Sequence, residues 1–376
     1  MIQKKKKQHY VPKFYLRNFS TDGKNVNIYH LKSKNLHKSP INSTCQESFF
    51  YGSDQEFENF LEILDNIHAK IFKEIFKGKT PPLTTEEWIG FLQFILVQHN
   101  RTRLERNVVE SFGNEICDHY LKPSMRSNLK ARGKSDHEIE GYTVKITNMD
   151  IFHKQNIIRS MEFIIGIRDL VPCIFANNTK TPFIISDNPI VFNNRIHLDN
   201  NFTALLSKGL QIHCPLNPHL YIVLFDPTYY SINESQPPTL KDINRLNALQ
   251  LLNCNEILIA PDGTSKEYLD QLCSQYVNRK QKKRAIIQTI SSEWLNETRR
   301  SDVDLTTTEN ANYHINFEFL RFNHSAFRIF KNQYVSVRKE NPFAVFPRDF
   351  ETLNELKKYQ KKIEDEYSRF EKSSEG

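Results

Sequence analysis

The stretch Trp88-Ile89-Gly90-Phe91-Leu92-Gln93-Phe94-Ile95-Leu96-Val97 is apolar on every side of a helix. A helix that is hydrophobic all round has no face to give to water, so it must lie inside a body built from other elements. A chain of 376 residues is long enough to supply that body. Thr84-Thr85-Glu86-Glu87 is a capping box that opens the helix, and the pattern carries it to about Tyr120. The apolar run passes directly into Gln98-His99-Asn100-Arg101-Thr102-Arg103. At steps of three and four, Phe91 and Ile95 lead to Gln98, Leu92 and Leu96 to His99 and Arg103, and Phe94 and Val97 to Arg101. The helix either emerges into solvent here or delivers amide, imidazole and guanidinium groups to an interior pocket. In the second case Arg101 or Arg103 would grip an anionic group through its forked donors.

The other elements give this helix its surroundings. Ser53-Asp54-Gln55-Glu56 is a further capping box, and Phe57, Phe60, Leu61, Leu64, Ile67, Ile71, Phe72 and Ile75 keep helical spacing to about Lys77. A third periodic segment covers 150–170. Residues 121–147 are polar, carry Pro, Gly and Ser, and read as a surface loop excursion. The middle of the chain changes to short runs rich in Ile, Val, Phe and Tyr: CIFANN, TPFIISDNPIVF, LQIHCPL and HLYIVLFDP. These read as strands, with Asn177-Asn178-Thr179-Lys180 as a hairpin turn and Pro215-Leu216-Asn217-Pro218 as a rigid turn. A helix over 239–253, the strand EILIAP and a helix capped by Thr264 follow. YHINFEFLRF and SAFRIFK read as strands, and the final helix over 350–370 has an apolar stripe fit to dock on the body or to dimerise. The expected fold class is α+β: a helical N-terminal half packed on a mainly antiparallel sheet, with a long C-terminal helix. Residues 8–260 form one domain, and 261–376 pack on the same body.

Composition narrows the function classes. A net charge of +7 permits phosphate binding without requiring it. The six cysteines never lie within four residues of one another, so no zinc-ligand spacing exists and a reducing cytoplasm is expected. No apolar run reaches the ~18 residues a membrane span needs. His9, Pro12, Lys13 and Arg17 interrupt every candidate signal-peptide core. There is no GxGxxG, P-loop, GxSxG or HExxH.

Two further stretches place polar groups where the pattern expects core, and burying such groups is costly unless they are paired. In Phe183-Ile184-Ile185-Ser186-Asp187-Asn188-Pro189-Ile190-Val191-Phe192, Pro189 ends or kinks a strand and aims Asp187 at something. Asp187 and Asn188 either build an Asx turn or present a carboxylate for acid–base or metal chemistry. At the N-terminus, Tyr10, Val11, Phe14, Tyr15 and Phe19 are spaced for a short aromatic helix, with Pro12 at its first position. His9 lies just before it, where free N–H groups favour anions. Lys4–Lys7 read as a solvated tail. Arg279-Lys280-Gln281-Lys282-Lys283-Arg284 reads as a helix-end dipole complement or a phosphate contact.

The combination of His9-Tyr10-Val11-Pro12, Tyr15-Leu16, Phe19, Phe50-Tyr51, Gln98, Arg101-Thr102, Ser186-Asp187-Asn188-Pro189 and Pro215-Leu216-x-Pro218 resembles domain-of-unknown-function family 4238. The resemblance spans roughly 8–260 and implies a mostly bacterial protein. It implies no reaction, cofactor or metal. An effector role in phage defence is its broadest implication. Lys13 and Lys4–Lys7 depart from the motif and make this N-terminus unusually basic.

Three functions follow from these residues. The leading one is a nucleic-acid phosphodiester hydrolase, with His9 and Asp187 as acid–base groups, Arg101 and Arg103 on phosphate, and Gln98, Asn188 and Tyr15 binding substrate. The second is a non-catalytic sensor of an anionic ligand such as a nucleotide. The third is a buried structural network of His9, Arg101 and Asp187. An open cleft containing all three supports a site, whereas burial of all three supports the network.

Overall fold

The computed structural model describes residues 7–53, 55–78, 86–196, 204–233 and 236–280, then 284–290, 303–309, 313, 315–330, 338 and 350–374. The chain begins with strand β1 (Lys7–His9) and helix α1 (Lys13–Arg17). Strands β2 (Asn25–His30), β3 (Asn35–Pro40) and β4 (Gln46–Ser48) follow. Helices α2 (Gln55–Phe76) and α3 (Glu86–Asn100) come next, and α3 is buried around its whole circumference, as its composition demands. Asp54, within the first capping box, and Thr84 and Thr85, which open the second, lie outside the described residues.

The helix expected to reach Tyr120 breaks at Arg101–Thr102. Thr102 is extended there (φ −78°, ψ 162°), and its hydroxyl accepts the Glu105 N–H, starting helix α4 (Arg103–Ile116). Residues 121–147 are largely exposed as expected, with Ile139 buried, but much of the segment is helical and its last part, 141–147, is an irregular loop. After a π-turn at Cys117–Leu121 come α5 (Lys122–Ala131), with Pro123 in its first turn, and α6 (Asp136–Glu140), with a Ser135/Glu138 capping box. Helix α7 (Met149–Ser160) tightens into a 3₁₀ turn at Met161–Gly166.

Strands β5 (Val171–Ala176), β6 (Ile185–Ser186), β7 (Val191–Asn194), β8 (Leu210–Asn217), β9 (Leu220–Phe225) and β10 (Tyr230–Ile232) form the centre. Helix α8 (Leu240–Asn253), strand β11 (Ile257–Ala260) and helix α9 (Lys266–Tyr276) complete it. The α9 cap is Ser265, one residue past the expected Thr264. Beyond lie β12 (Arg284–Ile290), β13 (Val303–Glu309), β14 (Leu320–Phe322), α10 (His324–Phe330) and α11 (Phe350–Ser374). SAFRIFK, expected as a strand, lies mostly in α10, because the Asn323 side chain accepts the Ala326 N–H and caps a helix. Among the described residues of YHINFEFLRF, the strand covers the last three, Leu320–Phe322.

Two four-stranded antiparallel sheets, ordered β3-β2-β11-β6 and β5-β9-β8-β7, divide the interior into two cores. Alternation along β8 and β9 does the dividing. Ile212, Cys214, Leu216, Ile222 and Leu224 face α2, α3 and the aromatic α1, while Tyr221, Val223 and Phe225 face α8 and α9. Asn177–Lys180 does form a tight turn, with Thr179 N–H on Asn177 Oδ1, but it is no hairpin: β5 pairs with β9 and β6 with β11. The chain is α+β.

Helix α11 docks on α2 and α3. Tyr359 and Ile363 are buried, and the Tyr359 hydroxyl donates to Gln93 Oε1 at 2.9 Å, which also accepts from His68 Nε2 at 3.2 Å. Gly90 makes room, since a Cβ there would sit 2.8 Å from the Tyr359 hydroxyl and 2.4 Å from Ile71 Cδ1. We expect Tyr359→Ala to destabilise the fold by about 3 kcal/mol and Tyr359→Phe by about 1 kcal/mol in urea unfolding. Wild-type stability in Tyr359→Ala would place α11 elsewhere in solution.

Candidate functional site

The Arg101 backbone closes the last turn of α3 on Val97 O, and its side chain turns inward. Nη1 binds Asp65 Oδ1 on α2 at 2.6 Å, Nη2 binds the His9 carbonyl at 2.7 Å, and Nε donates to the Tyr51 hydroxyl at 3.3 Å. That hydroxyl also lies 3.3 Å from the His9 carbonyl and 3.2 Å from that of Arg101. Burial pulls the guanidinium pKa down, but Asp65 and Tyr51 outweigh it and hold the pKa above its ordinary value. One cation thus ties the end of α3 to α2 and to the N-terminal strand.

His9 is not at the mouth of an anion-binding helix, because α1 spans five residues and Pro12 is its cap. It lies in β1, paired with Gln46, and its Nε2–H donates to the Ile41 carbonyl at 3.2 Å. Burial, with help from Lys13, Arg101 and Lys7 and opposed by the Ile41 bond, lowers its pKa to about 4. The imidazole is therefore neutral at pH 7.

Asp187 follows β6 and caps a turn of its own. Its carboxylate accepts the N–H groups of Asn255, Glu256 and Ile257 at 2.7, 2.8 and 3.2 Å, and its own N–H donates to Ile257 O. Burial pushes the Asp187 pKa up against these three donors. Neighbouring groups knot the segment to α8: Ser186 N–H to Gln250 Oε1, Gln250 Nε2 to Pro189 O, and Asn253 Nδ2 to the Asn188 and Ile190 carbonyls. The turn inside the motif is made by Ser186, whose Oγ accepts the Asn188 N–H.

His9 and Arg101 therefore meet, and Asp187 stands apart. Among the described residues no hydrogen bond or ion pair joins Asp187 to either. Tyr10, the residue after His9, is near enough to Asp187 that the carboxylate adds to a phenol pKa already raised by burial. Gln98 donates to Tyr10 O at 3.1 Å, and Tyr15 donates to Pro215 O at 2.5 Å. His9, Tyr15, Gln98, Arg101, Asp187 and Asn188 are all buried. Arg103 alone reaches the surface, across the Tyr10 ring, paired with Glu47 and, at 2.8 Å, with Glu256. Among the described residues these buried side chains pack into a seam between β1, α2, α3 and the turn after β6.

Sequence reasoning missed Asp65 and His68, which interrupt the apolar face of α2 as Arg101 interrupts its own. His153, whose Nε2–H donates to Asn100 O at 3.0 Å beneath Tyr51, was also missed. So was His213 on β8, bonded to Gln211 Oε1 at 3.0 Å. Among the described residues no group of three or more His, Cys, Asp or Glu is placed to hold a metal.

The family model described as protein of unknown function (DUF4238) matches residues 7–264, which include every element of this seam. No curated protein and no solved structure matches the chain.

Arg101→Met, which leaves the partly buried Asp65 carboxylate and the His9 carbonyl without their cation, should cost about 2–4 kcal/mol, and adding Asp65→Leu should recover part of it in chemical denaturation. Acid should act through the buried imidazoles. Burial lowers His9 and His153 to about 4 and His68 and His213 to about 3. From pH 6.5 down to 4 the unfolded chain takes up protons that the folded chain refuses, so stability falls with pH. Each imidazole contributes about 1.4 kcal/mol per pH unit. Asp65 and Asp187, whose pKa values burial raises, work in the opposite direction and soften the fall. A melting temperature unchanged from pH 7 to pH 4 would contradict this.

Proposed function

The chain belongs to the DUF4238 family, and we propose that it acts by binding a phosphate-rich polyanion, a nucleic acid, through a basic face on its N-terminal segment. The observation that carries this reading is the contrast between two sets of cations. Arg101, Arg103 and Arg106 are each neutralised, by Asp65, by Glu47 with Glu256, and by Glu110. Lys7, Lys13 and Arg17 are exposed, and among the described residues none of them meets a carboxylate. Lys7 and Lys13 lie close enough to His9 to depress its pKa, and Arg17 is one turn of α1 beyond Lys13. Tyr15, Leu16 and Phe19 are buried beneath them, so these charges stand on a fixed base. Fixed, unpaired cations favour phosphate binding because little ordering entropy is lost on contact.

Hydrolysis through His9 and Asp187 is less well supported, since the Asp187 oxygens already accept three backbone N–H groups. All six cysteines are free thiols, in keeping with an effector working on nucleic acid in a reducing cytoplasm.

Binding to labelled single-stranded and duplex oligonucleotides over a range of salt tests the proposal. The triple variant Lys7→Gln, Lys13→Gln, Arg17→Gln should lose about tenfold or more in affinity, and its log–log salt slope should fall by about 2–3. Equal affinity and slope in wild type and variant would overturn it. Cleavage of the oligonucleotide that disappears in His9→Ala at an unchanged melting temperature would favour the hydrolase instead.

A further inference from the structure

Arg338 lies beyond the family-matched region, yet its side chain is buried against that region. Nε and Nη2 bind the two oxygens of Asp169 at 2.5 and 3.0 Å. Nη2 also donates to Leu205 O at 2.7 Å and to Gly166 O, and Nη1 donates to Ser207 O at 3.0 Å. The Arg338 N–H donates to Leu206 O at 2.9 Å. One carboxylate and three carbonyls from two separate turns therefore converge on a planar guanidinium. This set matches a fork of N–H donors and does not match the compact ammonium of lysine.

The turns that supply these oxygens are held by bonds that do not involve Arg338. Ile167 N–H closes on Ile164 O at 3.1 Å and Leu170 N–H on Ile167 O at 3.2 Å, with Ile164, Ile167 and Leu170 in the core. On the other side, Ser207 N–H donates to Ala204 O at 3.0 Å, and Ala204 N–H donates to Ser207 Oγ at 2.9 Å. The acceptors thus point inward for local reasons. With no cation between them, the buried Gly166 and Ser207 carbonyls would lose their donor and the partly exposed Asp169 carboxylate and Leu205 carbonyl would depend on water, which is costly for the buried members of the set.

We propose that Gly166, Asp169, Leu205 and Ser207 form a preformed guanidinium-binding socket. The chain fills it in cis with Arg338, and it binds a free alkylguanidinium, the chemistry of an arginine side chain, when Arg338 is removed. Arg338 is then a latch that fastens the C-terminal region to the family domain across the seam between two turns.

Chemical rescue tests the socket in the full-length chain. Arg338→Ala should melt below wild type, and ethylguanidinium at about 10 mM should raise its melting temperature by about 2 °C or more, with saturation. Ethylammonium at the same concentration should not, wild type should not respond, and Asp169→Asn in the Arg338→Ala background should abolish the response. An equal response to both cations, or a rise in wild type as large as in the variant, overturns the proposal. If Arg338→Ala is not recovered folded, its refolding yield with and without ethylguanidinium reads the same binding, and equal yields overturn the proposal.

Discussion

The buried guanidinium of Arg101 is the interaction on which the N-terminal half depends. A fully apolar helix has to end somewhere, and α3 ends inside the protein, where the first cation it delivers cannot reach water. Asp65, Tyr51 and the His9 carbonyl supply what water would have supplied. This fixes the angle between α2 and α3, and it pins β1 in place so that α1 can lay its aromatic side chains into the core. A buried ion pair of this kind adds little net stability over an apolar replacement, but losing one partner is severe. Its effect is to specify one arrangement of three elements.

The same logic recurs twice in the chain. Asp187 satisfies three consecutive N–H groups between α8 and β11, where the backbone leaves a helix and enters a strand without regular partners. Arg338 does the reverse, supplying donors to carbonyls that two turns leave unsatisfied. In each case one ionic side chain closes a set of backbone groups that secondary structure cannot pair. In each case it joins segments distant in sequence. In this chain Arg101, Asp187 and Arg338 each lie at a seam between segments. That moves the search for function outward to charges that the fold does not use.

Much of the architecture was legible from residue pattern. The apolar period of α2, the all-round apolarity of α3, the strands LQIHCPL and HLYIVLFDP and the helix α8 all follow from residue pattern. The errors have local causes. Thr102 breaks a helix that periodicity would continue, and Pro123 at the start of α5 and the Ser135/Glu138 box at the start of α6 open two helices in a segment whose polarity read as loop. Asn323 turns SAFRIFK from strand to helix, because a single capping side chain outweighs β-propensity in a short run.

Arg101 and Asp187 stood out in the sequence because each interrupts an apolar run, and that signal reports burial of a polar group. It does not report which atoms satisfy the group. Asp65 for Arg101, the amides of 255–257 for Asp187 and Asp169 for Arg338 are settled by where the chain returns in space. Periodicity encodes the face a residue occupies, which is a property of neighbours along the chain. Pairing encodes distance between segments, which exists only once the two sheets have divided the cores. The sequence alone therefore determined the α+β class, most of the long elements, the family resemblance and the burial of Arg101 and Asp187. The tertiary structure decided which atoms satisfy those positions, and that Lys7, Lys13 and Arg17 remain open to solvent, because partners and exposure depend on which distant segments meet.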